Sequence, residues 1–308
     1  MQLNENADLD TSQVEDLRGS GGGGGLGGGG LGGGGIPIPI GGGKIGLIIT
    51  IIVLVATLCT GGAFGTGMLG GDSGGQQADN SSLEQKCGRD NPNRFQDTDC
   101  RNLLYINSIQ AYWVKAYPAA YGSAYVSATT RFFSGGVNTG CGQADSGVGP
   151  FYCPADQHIY IDLTFYNELA NRFGASGEFA APYVLAHEYG HHVQTLNGTS
   201  ARVRQGDNAA SVRLELQADC LAGAWAKNAT QTTDRGGQPL FTSITDADIQ
   251  EAVETAEAIG DDAISDRANR PVNPDEFTHG SSAQRKQWFL QGYNSGDPKR
   301  CDTFNGAV

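Results

Sequence analysis

Positive charge is scarce in this sequence: 20 Lys and Arg stand against 33 Asp and Glu, giving a formal net charge of -13. A surface of that sign repels polyanions, which argues against a nucleic-acid partner or an anionic-membrane-binding face. Also missing is any C-x-x-C pair, so the seven cysteines encode no thiolate zinc site. Charge of either sign is absent from Ile45 to Leu69, and no Lys or Arg occurs between Lys44 and Lys86. No propeptide is recognisable.

What stands in place of charge near the N-terminus is glycine. Residues 20–35 read SGGGGGLGGGGLGGGG and are followed by IPIPIGGG. Glycine at that density cannot recover its backbone entropy by burial, so residues 1–43 are expected to be a disordered tether. Residues 44–69 then read as a single transmembrane helix, because about twenty apolar residues span a hydrocarbon layer. More than forty residues precede the run, which favours an uncleaved anchor over a cleaved signal. Leu58 stands before Cys59 where a lipoprotein would need a small residue. Arg18 and Lys44 lie on the N-terminal side, so the positive-inside rule predicts a single-pass protein of the cell membrane with a cytoplasmic N-terminus. Residues 70–86 read as a linker, and 87–308 as one extracytoplasmic domain of ordinary size.

The cysteines agree with that side. Apart from Cys59, all six lie beyond the apolar run, as disulfides in an oxidising compartment would. Fifteen pairings are open. Pairing near neighbours joins Cys87 to Cys100 and Cys141 to Cys153, leaving Cys220 with Cys301.

Within the domain, apolar residues at helical spacing run from Leu103 to Val114, and Pro118 is expected to close that helix. TRFFSGG and DQHIYIDL, rich in β-branched and aromatic residues, read as strands, and LTFYNELANRF as a helix ending at Gly174. A further helix covers AASVRLELQADCLAGAWAKN. Thr245 with Asp248 forms a capping-box pattern before DADIQEAVETAEAI, and Ser281 or Ser282 opens AQRKQWFLQGY. The expected fold is α+β, mainly helical, with a small β-sheet.

The stretch AAPYVLAHEYGHHVQTL carries the chemistry. Leu185, Tyr189 and Val193 recur every fourth residue and mark an apolar face, with Pro182 at the helix start and Asn197-Gly198 at its stop. His187 and His191 lie one turn apart on the same face, so both rings can converge on one point. H-E-x-x-H supplies two nitrogens for Zn²⁺, and Glu188, one position round, can take a proton from a metal-bound water. A third ligand is needed, and RLELQADCLAGAW places Glu215 and Asp219 one turn apart on another helix. One can ligate while the other accepts a ligand histidine's remaining ring N–H, and spacing alone permits either assignment. A solvated acidic face with Arg213 is the plainer alternative, though the apolar Leu214, Leu216 and Trp225 argue against it. Two imidazoles and a carboxylate favour zinc among divalent metals.

AHEYGHHVQ, RLELQADCLAGAW and THGSSAQRKQWF together resemble the neutral zinc metallopeptidases, bacterial proteins with an N-terminal membrane segment. The resemblance spans most of residues 80–302 and includes GPFYCPADQHIYIDL; the glycine tract is outside it. H-E-x-x-H with E-x-x-x-D is also similar to the wider group of glutamate-liganded zinc proteases. The resemblance implies a zincin-like domain with His187, His191 and Glu215 as metal ligands, Glu188 as general base, and Asp219 behind a ligand histidine. It further implies that His279 donates to the oxyanion; a capping or surface histidine is the alternative. His192 lies about 140° from His187 around the helix and reads as a supporting or surface residue. His158, in a strand, reads as structural.

The expectation is a membrane-anchored zinc endopeptidase acting on protein or peptide substrates, with the strand DQHIYID pairing with an extended substrate. Two other classes stay open: a catalytically silent, zinc-stabilised extracytoplasmic binding domain, and a structural membrane protein assembling through its glycine-rich segment.

Overall fold

A computed structural model describes residues 1–18 and 77–308. The fold combines helices packed on one another with a four-stranded sheet. In chain order the strands and helices are β1 (Gln2–Leu3), β2 (Val14–Asp16), α1 (Ser81–Cys87), α2 (Thr98–Tyr121), β3 (Thr129–Phe132), β4 (Gly136–Thr139) and β5 (Gly142–Asp145). They continue with β6 (Phe151–Cys153), β7 (His158–Ile161), α3 (Phe165–Phe173), α4 (Ala180–Leu196), α5 (Asn208–Asn228), β8 (Phe241–Ser243), α6 (Asp246–Ala258), α7 (Asp261–Arg267) and α8 (Ser282–Ser295). The fold is mixed α+β with a small sheet, as the sequence pattern predicts.

The sheet runs β2-β3-β7-β6, with β2, β3 and β7 parallel and β6 antiparallel to β7. Thr130 faces Val14 on one side and Ile159 on the other, and Ile159 faces Tyr152. The strand expected to receive substrate, β7, is therefore central: both of its edges are taken, and β6 is an edge among the described residues. β4 and β5 form a separate hairpin, and β1 pairs with β8.

α2 begins at Asp97, whose side chain accepts from the Asp99 N–H. It buries Leu103, Ile106, Ile109 and Trp113 against Trp225, Phe241 and the sheet. Val114, which the spacing puts with this apolar set, is 56% exposed. Pro118 does not close the helix, which continues to Tyr121 and ends at Gly122 in the left-handed region. Pro118 removes only its own N–H, the carbonyl left unpaired belongs to exposed Val114, and Tyr121 packs on Tyr117 with ring centroids 4.9 Å apart.

The three disulfides join Cys87 to Cys100, Cys141 to Cys153 and Cys220 to Cys301, matching the near-neighbour pairing. They tie α1 to α2, the β4–β5 turn to β6, and α5 to the C-terminal residues. Both capping boxes are present, at Thr245 with Asp248 and at Ser281 with Gln284.

Two boundaries differ from expectation. Residues 1–18 are not a disordered tether: they supply β1 and β2 and bury Ala7 and Val14 in the main core. The segment has few apolar side chains, but its backbone groups are satisfied by side chains of the body, including Arg94 and Asn107. Likewise residues 77–86, expected as linker, contain α1 and pack on the domain. The anchor expected at 44–69 and the glycine tract lie outside the described residues, and no helix among the described residues is long and apolar enough to cross a membrane.

α5 and α8 approach at backbone distance. An added Cβ on Gly292 would collide with the Cys220 carbonyl, and one on Gly223 with the Phe289 carbonyl. Gly292→Ala is expected to force the two helices apart at a cost on the order of 1–3 kcal/mol or more. Urea unfolding measures it; an unchanged midpoint would show that the helices are not held this closely.

Candidate metal centre

α4 buries Leu185, Tyr189 and Val193 in the core, which turns His187 and His191 together toward α5. Gly190 lies between the two histidines, and a Cβ there would meet Ala218 Cα at 3.0 Å. The missing side chain lets α5 come close enough for Glu215 to reach both rings. Glu215 Oε2 lies 3.1 Å from His187 Nε2, and Oε1 lies 3.3 Å from His191 Nε2. All three side chains are buried.

The far side of each ring decides what Nε2 presents. His187 Nδ1 is 2.8 Å from Asp219 Oδ1, an acceptor only, so Nδ1 carries the proton. His191 Nδ1 is 2.9 Å from Gln194 Oε1. That amide is oriented by its own NH₂, which donates to the Leu214 carbonyl at 2.7 Å. Nδ1 of His191 is thus the donor as well, and Nε2 of each ring is the atom turned toward Glu215. The ligand atoms of His187, His191 and Glu215 all lie within 4.8 Å of one another. Tetrahedral zinc with bonds of about 2.0–2.1 Å places its ligand atoms about 3.4 Å apart, and the two rings meet Glu215 at distances of that order through its two different oxygens. This group could hold a metal ion. Glu215 faces Nε2 of both rings, and Asp219 faces Nδ1 of His187.

Asp219 is completely buried and accepts four hydrogen bonds. Besides His187, the Tyr183 hydroxyl donates at 2.6 Å, and Arg285 donates through Nε at 2.8 Å and Nη2 at 3.0 Å. Burial alone would raise the Asp219 carboxyl, but the Arg285 and His187 charges outweigh it and bring it to about 2. Burial would likewise lower His187, yet Asp219 and then Glu215 raise it to about 10. Glu215 goes well below the usual carboxylate range: the neighbouring imidazoles, His191 first, overcome its burial. These carboxylates draw positive charge onto the ring nitrogens, a demand that a divalent cation also meets.

Glu188 faces the same cavity, with Val148, Pro150, Phe165, Val184 and Ile259 as its apolar wall. Burial pushes its carboxyl up, partly opposed by His191 and His187. The nearby Tyr152 backbone of β6 also lowers it, and Oε2 has no hydrogen-bond partner among the described residues.

His279 also lines the cavity. It is buried and held from behind, because Asp261 Oδ2 accepts from the N–H groups of Thr278, His279 and Gly280 and Oδ1 lies 3.1 Å from His279 Nδ1. Nδ1 also lies 3.1 Å from the Thr278 hydroxyl. His192 is fully buried rather than at the surface, with Nε2 2.7 Å from the Val126 carbonyl and Nδ1 3.2 Å from the Tyr152 hydroxyl. It joins α4 to β6, and its burial pulls its pKa down. His158 lies in β7 beside Asp156, away from the site.

Arg285, Tyr183 and Gln194 are the members that spacing did not single out. Tyr183 and Gln194 carry a faint signal, at i-4 from His187 and i+3 from His191. Arg285 carries none, since it comes from another helix 66 residues beyond Asp219.

The three-residue group is of the kind that could hold a metal ion, and the comparisons supply the family. Residues 4–304 match the family described as "Putative neutral zinc metallopeptidase", and the chain belongs to that family. Among its relatives is YpfJ of Escherichia coli (strain K12), 37% identical over 97% of this chain and 98% of its own. Proteins of Mycobacterium tuberculosis and Mycobacterium bovis are 48% identical over 70% of this chain and 73% of theirs. No solved structure matches.

Arg285→Lys keeps the charge but loses the fork that holds both Asp219 oxygens. We expect zinc affinity to fall roughly tenfold, the lower end of what losing such support costs. Competition titration with a chelator measures it; unchanged affinity would show that Asp219 orients His187 without Arg285.

Proposed function

We propose that the chain is a zinc-dependent endopeptidase in which Glu188 is the general base. The observation that carries this reading is the Glu188 carboxylate, buried on the cavity wall with one oxygen unpartnered among the described residues, beside two imidazoles that both turn Nε2 toward Glu215. A buried acceptor without a donor is costly in a purely structural site, and a water molecule awaiting deprotonation would satisfy it.

His187, His191 and Glu215 would hold the zinc. When bound, zinc polarises a carbonyl oxygen and lowers the pKa of its water to about 7. Glu188 takes the water's proton and later passes it to the leaving amine, restoring the carboxylate. The Tyr152 backbone on β6 borders the base. His279, held by Asp261, lines the cavity where an oxyanion would form and would donate to it through Nε2–H. The substrate is a peptide or protein segment in extended form. Its main chain would be recognised at β6 and the Val148–Pro150 approach to it, because β6 rather than β7 is the available edge. The apolar wall of Phe165, Val184 and Ile259 would receive a side chain next to the cleaved bond.

Glu188→Gln preserves shape and leaves all three ligand residues in place. It should retain zinc and lose at least about 10²-fold in turnover of a peptide library. Full activity in the zinc-loaded variant would remove Glu188 from the reaction.

A further inference from the structure

The two stretches that flank residues 19–76 are bonded to each other. β2 pairs in parallel with β3, and the Leu17 N–H donates to the Phe132 carbonyl at 2.8 Å. From the other end, the Asp79 N–H donates to the Asp16 carbonyl at 3.0 Å. The Asn80 side chain accepts from the Asp16 N–H at 3.0 Å and donates to the Thr11 and Val14 carbonyls at 3.1 and 2.7 Å. Arg18 holds Asp99 of α2 through both Nη atoms at 2.9 Å, while its Nε donates to Asp16 at 2.8 Å. Lys86 adds a second cation to Asp99, which is buried next to the Cys87–Cys100 disulfide.

Farther upstream the contacts continue. Buried Arg94 donates to the Glu5 and Ala7 carbonyls at 2.9 and 2.6 Å, and Asn107 bonds the backbone of Asp10 in both directions. The family match begins at residue 4, so the segment also belongs to the family's common unit.

We infer that Met1–Arg18 and residues 77–308 lie together on the extracytoplasmic side, and that the chain between them makes no net membrane crossing. Hydrogen bonds and buried ion pairs cannot form across a hydrocarbon layer of about 30 Å. A single crossing with a cytoplasmic N-terminus would separate Arg18 from Asp99 and β2 from β3. The charge argument for that topology weakens on the same evidence. It counted Arg18 and Lys44, and Arg18 is engaged in the domain. Two full crossings would need about 40 apolar residues, whereas residues 19–43 are mostly glycine and the apolar run covers only Ile45–Leu69. Three disulfides within the same unit identify the shared side as the oxidising one. None of this depends on the peptidase reading.

The test uses the full chain with Cys59→Ser, expressed in bacterial cells and carrying either Asn6→Cys or Lys115→Cys. Both positions are exposed, one on the N-terminal segment and one on α2. Spheroplasts are treated with a membrane-impermeant maleimide before and after lysis. Equal labelling of both positions before lysis is expected. Labelling of Lys115→Cys alone overturns the inference, and so does protection of both until lysis.

Discussion

The Asp219 carboxylate is the interaction on which the site depends. It has no solvent to share its charge, so its position is set by four donor atoms from two helices: His187 and Tyr183 on α4, and Arg285 Nε and Nη2 on α8. Such a buried pair contributes little net stability over a well-packed apolar alternative, but removing one partner strands a charge. Its value here is geometric. Asp219 sets the proton on His187 Nδ1 and so aims Nε2 at Glu215, and Arg285 sets Asp219. The close approach of α5 and α8 through Gly223 and Gly292, and of α4 and α5 through Gly190, makes those bond lengths reachable.

The same geometry gives the two carboxylates of α5 different neighbours. Glu215 and Asp219 are one turn apart, yet only Glu215 faces Nε2 of both rings. Gln194 does for His191 what Asp219 does for His187, with a neutral acceptor anchored on the Leu214 carbonyl. One imidazole is therefore backed by a charge and the other by a dipole. Around this centre Glu188 borders the Tyr152 backbone, and His279 is held by Asp261.

Much of this was legible in the sequence because it is local. H-E-x-x-H and E-x-x-x-D each place two side chains on one helix face by periodicity alone, and the near-neighbour cysteine pairs follow the chain's own proximity. What was not legible depends on contacts between distant segments. Arg285 gives no periodic signal toward Asp219, and β7 looks like any short strand until β3 and β6 occupy its two edges. Residues 1–18 look polar and adjoin a glycine tract, so composition reads them as unfolded. They are folded because Arg94, Asn107 and Asp99 on the body complete their hydrogen bonds, a compensation that no composition measure can register. Pro118 failed as a helix stop for a simpler reason, since the carbonyl it leaves unpaired sits at an exposed residue.

The most direct test of the account is the metal content of the purified chain beside its Glu215→Ala variant, both shown to be folded. The account predicts one zinc per wild-type chain, lost or greatly weakened in the variant. A folded wild-type chain that takes up no zinc after reconstitution, or a variant that keeps it, would contradict the three-residue centre and the chemistry built on it.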